Sequence, residues 1–349
     1  MDIQACVVHG ARDLRIDTRT AAAPADGEVA IDVAYGGICG SDLHYYHRGS
    51  VGDFRIREPM VLGHEVVGRV AAVSDGIDGL AAGTPVAVHP ATPCDTCPEC
   101  RSGHRNVCVN TRYLGSAARM PHVQGGFAEQ IVMPVGQVRA LPADLPLERA
   151  ALAEPLSVAL HAVRRAGAVV GKRVLVTGAG PIGLLVVTAL RQAGAAEVIV
   201  SDLLSQPLGL AVGLGATATV RADQPAQWAA IGEVDLAIEA SGSGPALATC
   251  VRQVRRRGTV VLLGLLPPGE TGFLGNVVVT RELELRGAFR FDHEFDAAIA
   301  QLADGLEVRG VVSHTFPLNL ARDAFELAGD RARASKVLLD LARSPSRGG

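Results

Sequence analysis

Residues 172–202 read KRVLVTGAGPIGLLVVTALRQAGAAEVIVSD, and this stretch decides the fold of half the chain. A β-branched run at 172–177 leads into Gly178-Ala-Gly180-Pro181-Ile182-Gly183, an apolar helix pattern follows at 182–193, and a second buried run at 198–201 ends on Asp202. Strand, helix and strand in that order make the βαβ unit of a parallel sheet. The first glycine of G-x-G-x-x-G allows a tight turn, the second lets the backbone approach a pyrophosphate, and the third permits close helix–strand packing. With 40 glycines in the chain the bare pattern arises easily by chance. Its position and the acid about 20 residues on give it weight, because a carboxylate there can accept from a ribose 2′-hydroxyl and repels a 2′-phosphate. The expected ligand is NAD rather than NADP, held by Gly178, Gly180, Pro181, Ile182, Gly183 and Asp202.

Outward from this unit the rhythm continues, with strands at 234–240, 259–263 and 283–289 and a helix at 245–256, enough for a doubly wound sheet. The sequence changes texture near residue 150. Before it, short β-rich runs at 29–35, 66–73 and 85–89 are separated by Gly and Pro clusters, which predicts an irregular, mostly antiparallel domain. After 289, amphipathic stretches at 294–302 and 320–328 and a strand at 336–341 are expected to pack back onto that first domain, and 343–349 reads as a frayed tail. The single Trp228, in a helix-like stretch, reads as packing.

The chain has 349 residues, 48% of them hydrophobic and 20% charged, with 33 Lys and Arg against 36 Asp and Glu. This composition predicts two domains and excludes a disordered polymer or a polycationic nucleic-acid binder. No apolar run reaches the roughly 18 residues of a membrane span. The N-terminus has no basic stretch followed by a long apolar core, so a cytoplasmic location is expected.

Four of the seven cysteines crowd together as Cys94-x2-Cys97-x2-Cys100-x7-Cys108, while Cys6, Cys39 and Cys250 stand alone. In a reducing compartment such a cluster points to tetrahedral Zn2+ in a closed structural site. A nucleic-acid zinc knuckle is the other reading, but Asp95 and Glu99 beside Arg101 and Arg105 suit a staple better. A second, dispersed set comprises Cys39 in GlyGlyIleCysGlySerAspLeuHis, His64-Glu65 in GlyHisGlu, and Glu154 in AlaGluProLeu. Brought together, these would make an open metal site for Lewis-acid chemistry. Spacing alone leaves the alternative open, since a lone Cys is often a small buried hydrophobe and a lone His a satisfied core group.

GlyHisGlu, CysGlySerAsp, the four-cysteine loop and the glycine fingerprint, in this order, resemble the zinc-dependent medium-chain alcohol and polyol dehydrogenases over nearly the entire chain. The stretches ProMetValLeuGlyHisGluVal, ProHisValGlnGlyGlyPhe, AlaGluProLeuSerValAlaLeuHisAla and LeuArgGlyAlaPheArgPhe are similar to the sugar-acid branch of that family, the L-idonate 5-dehydrogenases. The resemblance implies an α/β fold with a GroES-like irregular β catalytic domain (1–152 and 288–349) and a Rossmann domain (153–287), the active site lying in the cleft between them. It implies one catalytic and one structural Zn2+ per chain, with Cys39, His64, Glu65 and Glu154 at the first and the four cysteines at the second. Glu154 would bind the metal or hold its water, and Asp42 would orient His64. Ser41 and His44 match the proton relay, and Tyr45, Phe54 and Arg290 the substrate pocket. For an anionic substrate Arg112, Arg119 and His122 are further candidates.

The implied reaction is zinc-assisted hydride transfer from a secondary alcohol to NAD, with L-idonate oxidised to 5-keto-D-gluconate. The partner is then a small sugar acid or polyol, without nucleic acid or membrane, and the chain a homo-oligomer, tetramer or dimer. Sorbitol or xylitol dehydrogenase, L-threonine dehydrogenase and a non-catalytic zinc- and nucleotide-binding protein are the rivals, in that order. One departure from the family pattern is Pro207, which stands where a basic residue usually follows the ribose-binding acid.

Overall fold

The computed structural model describes residues 1–342, so the tail expected at 343–349 lies outside the described residues. Two sheets organise the molecule. Six parallel strands lie in the order Ala218–Arg221, Glu197–Asp202, Arg173–Thr177, Val234–Glu239, Val254–Leu262 and Glu284–Gly287. In sequence terms this is 3-2-1-4-5-6, the doubly wound order, whose ligand crevice opens where the order reverses, between Arg173–Thr177 and Val234–Glu239.

The βαβ unit forms for the reasons its sequence suggests. Val174, Leu175 and Val176 are fully buried, as are Val198 and Val200 on the next strand, so β-branched residues here pack on both sheet faces. Pro181 opens the helix Pro181–Gln192, where its fixed φ suits the first turn and its missing N–H is not needed. Gly178 turns the strand at φ +91°, and a Cβ on Gly183 would lie 1.8 Å from the Gly178 carbonyl oxygen, so no other residue lets helix and strand approach this closely.

The helix expected at 245–256 is shorter. It runs Gly244–Gln253, and the chain enters the strand Val254–Leu262 directly. Val254 is fully buried opposite Val234, while Arg257 at φ +60° is incompatible with a continued helix. Trp228 sits in the helix Pro225–Ile231 and packs against the apolar cluster on this side of the sheet.

The second sheet has seven strands. Glu28–Gly37 is its hub, pairing antiparallel with Glu65–Val73, with Gln130–Pro134 and with Lys336–Asp340. Pro85–Val88 and Val138–Ala140 extend one side, and Val312–Pro317 runs parallel to Lys336–Asp340 on the other. Residues from both ends of the chain therefore share one sheet.

Helix Ala153–Ala166, which the sequence reading did not identify, bridges the two sheets. Its Pro155 is tolerated because it lies in the first turn, where N–H groups have no intrahelical partner. Leu156, Ala159 and Ala162 are buried in one apolar cluster that also holds Val67 and Ala87 of the mixed sheet, Leu184 and Val187 of the glycine-capped helix, and Phe295 and Ala298 of helix Glu294–Ala303. A helix so packed fixes the position of Glu154 in its first turn.

Candidate active site and metal centres

The chain reaches the site along three paths. Helix Gly40–Arg48 starts just after Cys39, with Asp42 Oδ2 accepting from the Cys39 N–H at 2.9 Å. Asp42 Oδ1 accepts from the Gly63 N–H at 3.1 Å and lies 3.9 Å from His64 Nδ1, so one buried carboxylate ties the start of the helix to the GlyHisGlu turn. Glu65 opens the strand Glu65–Val73. Glu154 arrives on the bridging helix.

Ligand atoms of Cys39, His64 and Glu65 lie within 4.8 Å of one another. Glu65 is fully buried; its Oε1 accepts from Lys336 Nζ at 2.7 Å, and Lys336 also donates to the Ile38 carbonyl at 3.0 Å. Its Oε2 has no hydrogen-bond partner. A buried carboxylate oxygen left unpaired is costly, and the cost is relieved when a cation occupies the space between these donors. One thiol, one imidazole and one carboxylate suit zinc in an open site. For His64, burial opposes protonation, but Asp42 and Cys39 outweigh it and raise the imidazole to about 10. Burial pushes Glu154 up to about 7, with Glu65 adding to the rise and His64 opposing it.

Tyr113 and Lys336 escaped the sequence reading. The Tyr113 hydroxyl donates to Glu154 Oε1 at 2.8 Å, its ring lies 5.4 Å from the His64 ring, and the Arg290 guanidinium sits 4.4 Å above it. Arg290 also stacks on Phe289, takes φ +54°, and makes no ion pair among the described residues. Nothing in the sequence around Tyr113 marks it out. Lys336 did carry a signal, a cation opening an otherwise apolar strand run, which demands a buried partner.

The other expected residues are distributed as follows. Ser41 and His44 are half-buried on the helix that follows Cys39; burial, then Arg48 and His47, lower His44 below the ordinary histidine value, which favours its neutral, proton-accepting form near neutral pH. Tyr45 is 3% exposed, with its hydroxyl accepting from the Ala117 N–H at 3.0 Å. Phe54 is 46% exposed, on the hairpin formed by Ser50–Val51 and Phe54–Arg55. Of the further cation candidates, Arg112 is exposed on the short strand Arg112–Tyr113. Arg119 is committed to the loop: it donates to the Val109 carbonyl at 2.7 Å and to Asn110 Oδ1 at 3.3 Å. His122 is buried, accepting from the Arg57 N–H at 2.9 Å through Nε2, while Nδ1 lies 2.7 Å from the Arg119 carbonyl. These contacts brace the loop through Arg119 and His122, and Arg290 sits over Tyr113, whose hydroxyl donates to Glu154.

The four cysteines are drawn together in one small cluster, and all are free thiols. Cys97 and Cys108 sulfurs are 3.8 Å apart, and those of Cys94 and Cys108 3.5 Å. A disulfide would need about 2.05 Å. Four sulfurs about 2.3 Å from a tetrahedral zinc stand roughly 3.8 Å from each other, close to the spacing seen.

At the glycine turn, a Cβ on Gly180 would meet nothing within 4 Å, which leaves the backbone open for a phosphate at the helix start. Asp202 is buried at the end of its strand, its Oδ2 accepting from the Ala179 N–H at 2.8 Å. Pro207 is buried in the helix Ser205–Gly213.

Comparison with known proteins agrees with this geometry. Residues 25–143 match the alcohol dehydrogenase GroES-like domain, and residues 181–304 the zinc-binding dehydrogenase domain. The chain is 38% identical over 340 residues to an L-idonate 5-dehydrogenase (NAD(P)(+)) of Escherichia coli strain K12, covering 96% of this chain and 98% of the relative. It is 36% identical to a sorbitol dehydrogenase of Gallus gallus, covering 96% of this chain and 95% of that one. The crystal structure of L-idonate 5-dehydrogenase from Escherichia coli superposes with a TM-score of 0.92 at 38% identity, covering 97% of this chain and 98% of that chain.

Proposed function

The chain belongs to the zinc-binding alcohol dehydrogenase family, as an oxidoreductase of the alcohol and polyol type, and from that premise we propose that it oxidises a secondary hydroxyl of a sugar acid, L-idonate to 5-keto-D-gluconate, with NAD as acceptor. The observation that carries the acid over a neutral polyol is Arg290, a cation without an ion-pair partner among the described residues, stacked on the ring whose hydroxyl holds Glu154. Arg pairs with a carboxylate bidentately, and the low-dielectric surroundings strengthen the pair. The similarity to an L-idonate 5-dehydrogenase supports the same reading.

Cys39, His64 and Glu65 would hold the catalytic zinc, with Glu154 beside it, and Cys94, Cys97, Cys100 and Cys108 a structural one. The zinc supplies Lewis acidity toward a hydroxyl oxygen, and the nicotinamide supplies the hydride acceptor. The chain's own side chains do the rest. Asp42 ties the start of its helix to the GlyHisGlu turn through the Gly63 N–H and sets a negative charge 3.9 Å from His64 Nδ1. Tyr113 holds Glu154 through one oxygen, and Ser41 with the neutral His44 carries the proton outward. Arg290 orients the acid end of the substrate, with Tyr45 and Phe54 lining the pocket. The lobes are assigned as 1–152 with 288–349 and 153–287, and the cytoplasmic location and homo-oligomeric state belong to the same proposal.

The test is NADH formation with L-idonate, sorbitol, xylitol and L-threonine side by side, with and without chelation. Chelator-sensitive turnover that favours L-idonate is expected. Equal or better turnover of sorbitol and xylitol would discard the acid pocket and keep the polyol reading, which the similarity to a sorbitol dehydrogenase also favours.

A further inference from the structure

Asp202 is not free at the ribose end of the dinucleotide crevice. Its Oδ1 accepts from the Leu204 N–H at 3.0 Å, and its Oδ2 accepts from the Ala179 N–H at 2.8 Å and from Arg331 Nη2 at 3.4 Å. A carboxylate offers about four lone-pair sites. With three taken, one is left for a ribose that presents two hydroxyls.

Arg331 belongs to the other half of the molecule. It lies between helix Ala321–Gly329 and strand Lys336–Asp340, which is hydrogen-bonded into the mixed sheet, so its contact with Asp202 spans the two sheets. Asp202 is its one carboxylate partner among the described residues, and its side chain stays 54% exposed, able to turn toward a ligand. The other cation at this edge, Arg221, is opposite Asp202 on the neighbouring strand but is matched by Asp223 at 2.9 Å and donates to Ser205 Oγ at 3.0 Å. Arg331 therefore supplies, from outside the parallel sheet, a positive charge beside the ribose carboxylate that the sequence after Asp202, with Pro207, lacks.

We propose that Arg331 sets the discrimination between the two dinucleotides: it neutralises Asp202, removes the repulsion toward a 2′-phosphate and offers its guanidinium to that group, so that the protein binds NADP(H) as well as NAD(H). This rests on the assignment of Gly178 to Asp202 as the dinucleotide site. An arginine near the ribose acid is the group that accommodates a 2′-phosphate in folds of this type, and charge-assisted pairing makes the contact strong.

Equilibrium titration of the full chain with NADH and with NADPH, followed by nucleotide fluorescence without substrate, tests it. Wild type is expected to bind NADPH within about tenfold of NADH. Arg331→Gln should weaken NADPH by roughly tenfold or more while changing NADH by less than about threefold, and Arg331→Lys should keep most of the NADPH affinity. Equal weakening of both nucleotides by Arg331→Gln, no change in either, or wild-type NADPH binding about a thousandfold weaker than NADH would each overturn the proposal. Asp202→Asn separates it from its premise. If that variant weakens NADH while Arg331→Gln is silent, only the role of Arg331 fails; if NADH does not bind wild type, or Asp202→Asn leaves its binding unchanged, the dinucleotide-site assignment fails as well.

Discussion

The four-cysteine loop and the set of Cys39, His64 and Glu65 with Glu154 nearby both offer metal donors, yet they are built in opposite ways. The first takes all its donors from fifteen consecutive positions, 94–108, and forms a small cluster of its own. The second draws on a helix start, a strand start and the first turn of the bridging helix, and its deepest carboxylate is held by Lys336 from near the far end of the chain. A local site costs the fold little to assemble and returns stability to a loop with no core beneath it. An assembled site exists only if the whole fold is right, and can therefore be placed at the junction of two sheets.

The largest effects should come from the assembled site. Cys39→Ser or His64→Ala is expected to lower turnover by about four orders of magnitude or more and to remove one zinc of two, while the fold persists. Metal content by elemental analysis, read beside NADH formation, checks this. Appreciable activity in either variant would refute the site. The loop should invert the pattern: Cys97→Ala is expected to cost roughly 3 kcal/mol or more of stability, because metal binding there is also folding energy, while the residual folded protein keeps its kcat. A Cys97→Ala protein that is stable and inactive would mean the two centres have been exchanged.

A smaller effect separates the substrate end from the metal end. Arg290→Ala should lower kcat/KM for L-idonate by roughly 10- to 100-fold and leave sorbitol within about threefold, since only the anion loses a charge-assisted partner. Arg290→Lys should recover part of the loss, although without the planar stack on Tyr113 it cannot recover all of it. Equal losses for both substrates would make Arg290 a brace for Tyr113 and Glu154.

How much of this was legible follows the same division. The parallel sheet was readable because each unit carries its own signals: buried β-branched runs, a glycine turn and an acid in register. The cysteine loop was readable from spacing alone. Residue type marked Cys39, His64, Glu65 and Glu154, but only resemblance to a family joined them, because nothing local in a sequence states which strand starts will converge. Tyr113 and Lys336 were missed for that reason; their roles lie in partners 41 and 271 residues away. Arg119 and His122 show the reverse situation, polar groups in a promising loop that also make contacts with nearby backbone, which spacing does not reveal. Arg331, 129 residues from Asp202 in sequence, reaches it in the fold, a contact that nothing local to Asp202 and Pro207 states.

The smallest predicted effect tests whether the assembled site depends on its scaffold at a distance. Glu294, buried at the start of helix Glu294–Ala303, lies 3.1 Å from His161 Nδ1 and accepts from Arg164 Nη1 at 3.1 Å and the Asp292 N–H at 2.8 Å; His161 and Arg164 are on the helix that carries Glu154. Burial alone would raise this carboxyl, but His161 and the Asp292 N–H hold it down at about 2. A folded-state value below the unfolded one stabilises the protein above the unfolded carboxyl pKa and loses that contribution as pH falls toward 2. Glu294→Gln should therefore cost about 1–2 kcal/mol at neutral pH and flatten the acid limb of stability between pH values of about 4.5 and 2. Denaturant midpoints across that range measure it. If the helix is a true strut for the active site, the same variant will also lower kcat modestly, with the four-cysteine centre keeping its metal; unchanged kcat alongside lost stability would show that the geometry around Glu154 is fixed by the apolar core alone.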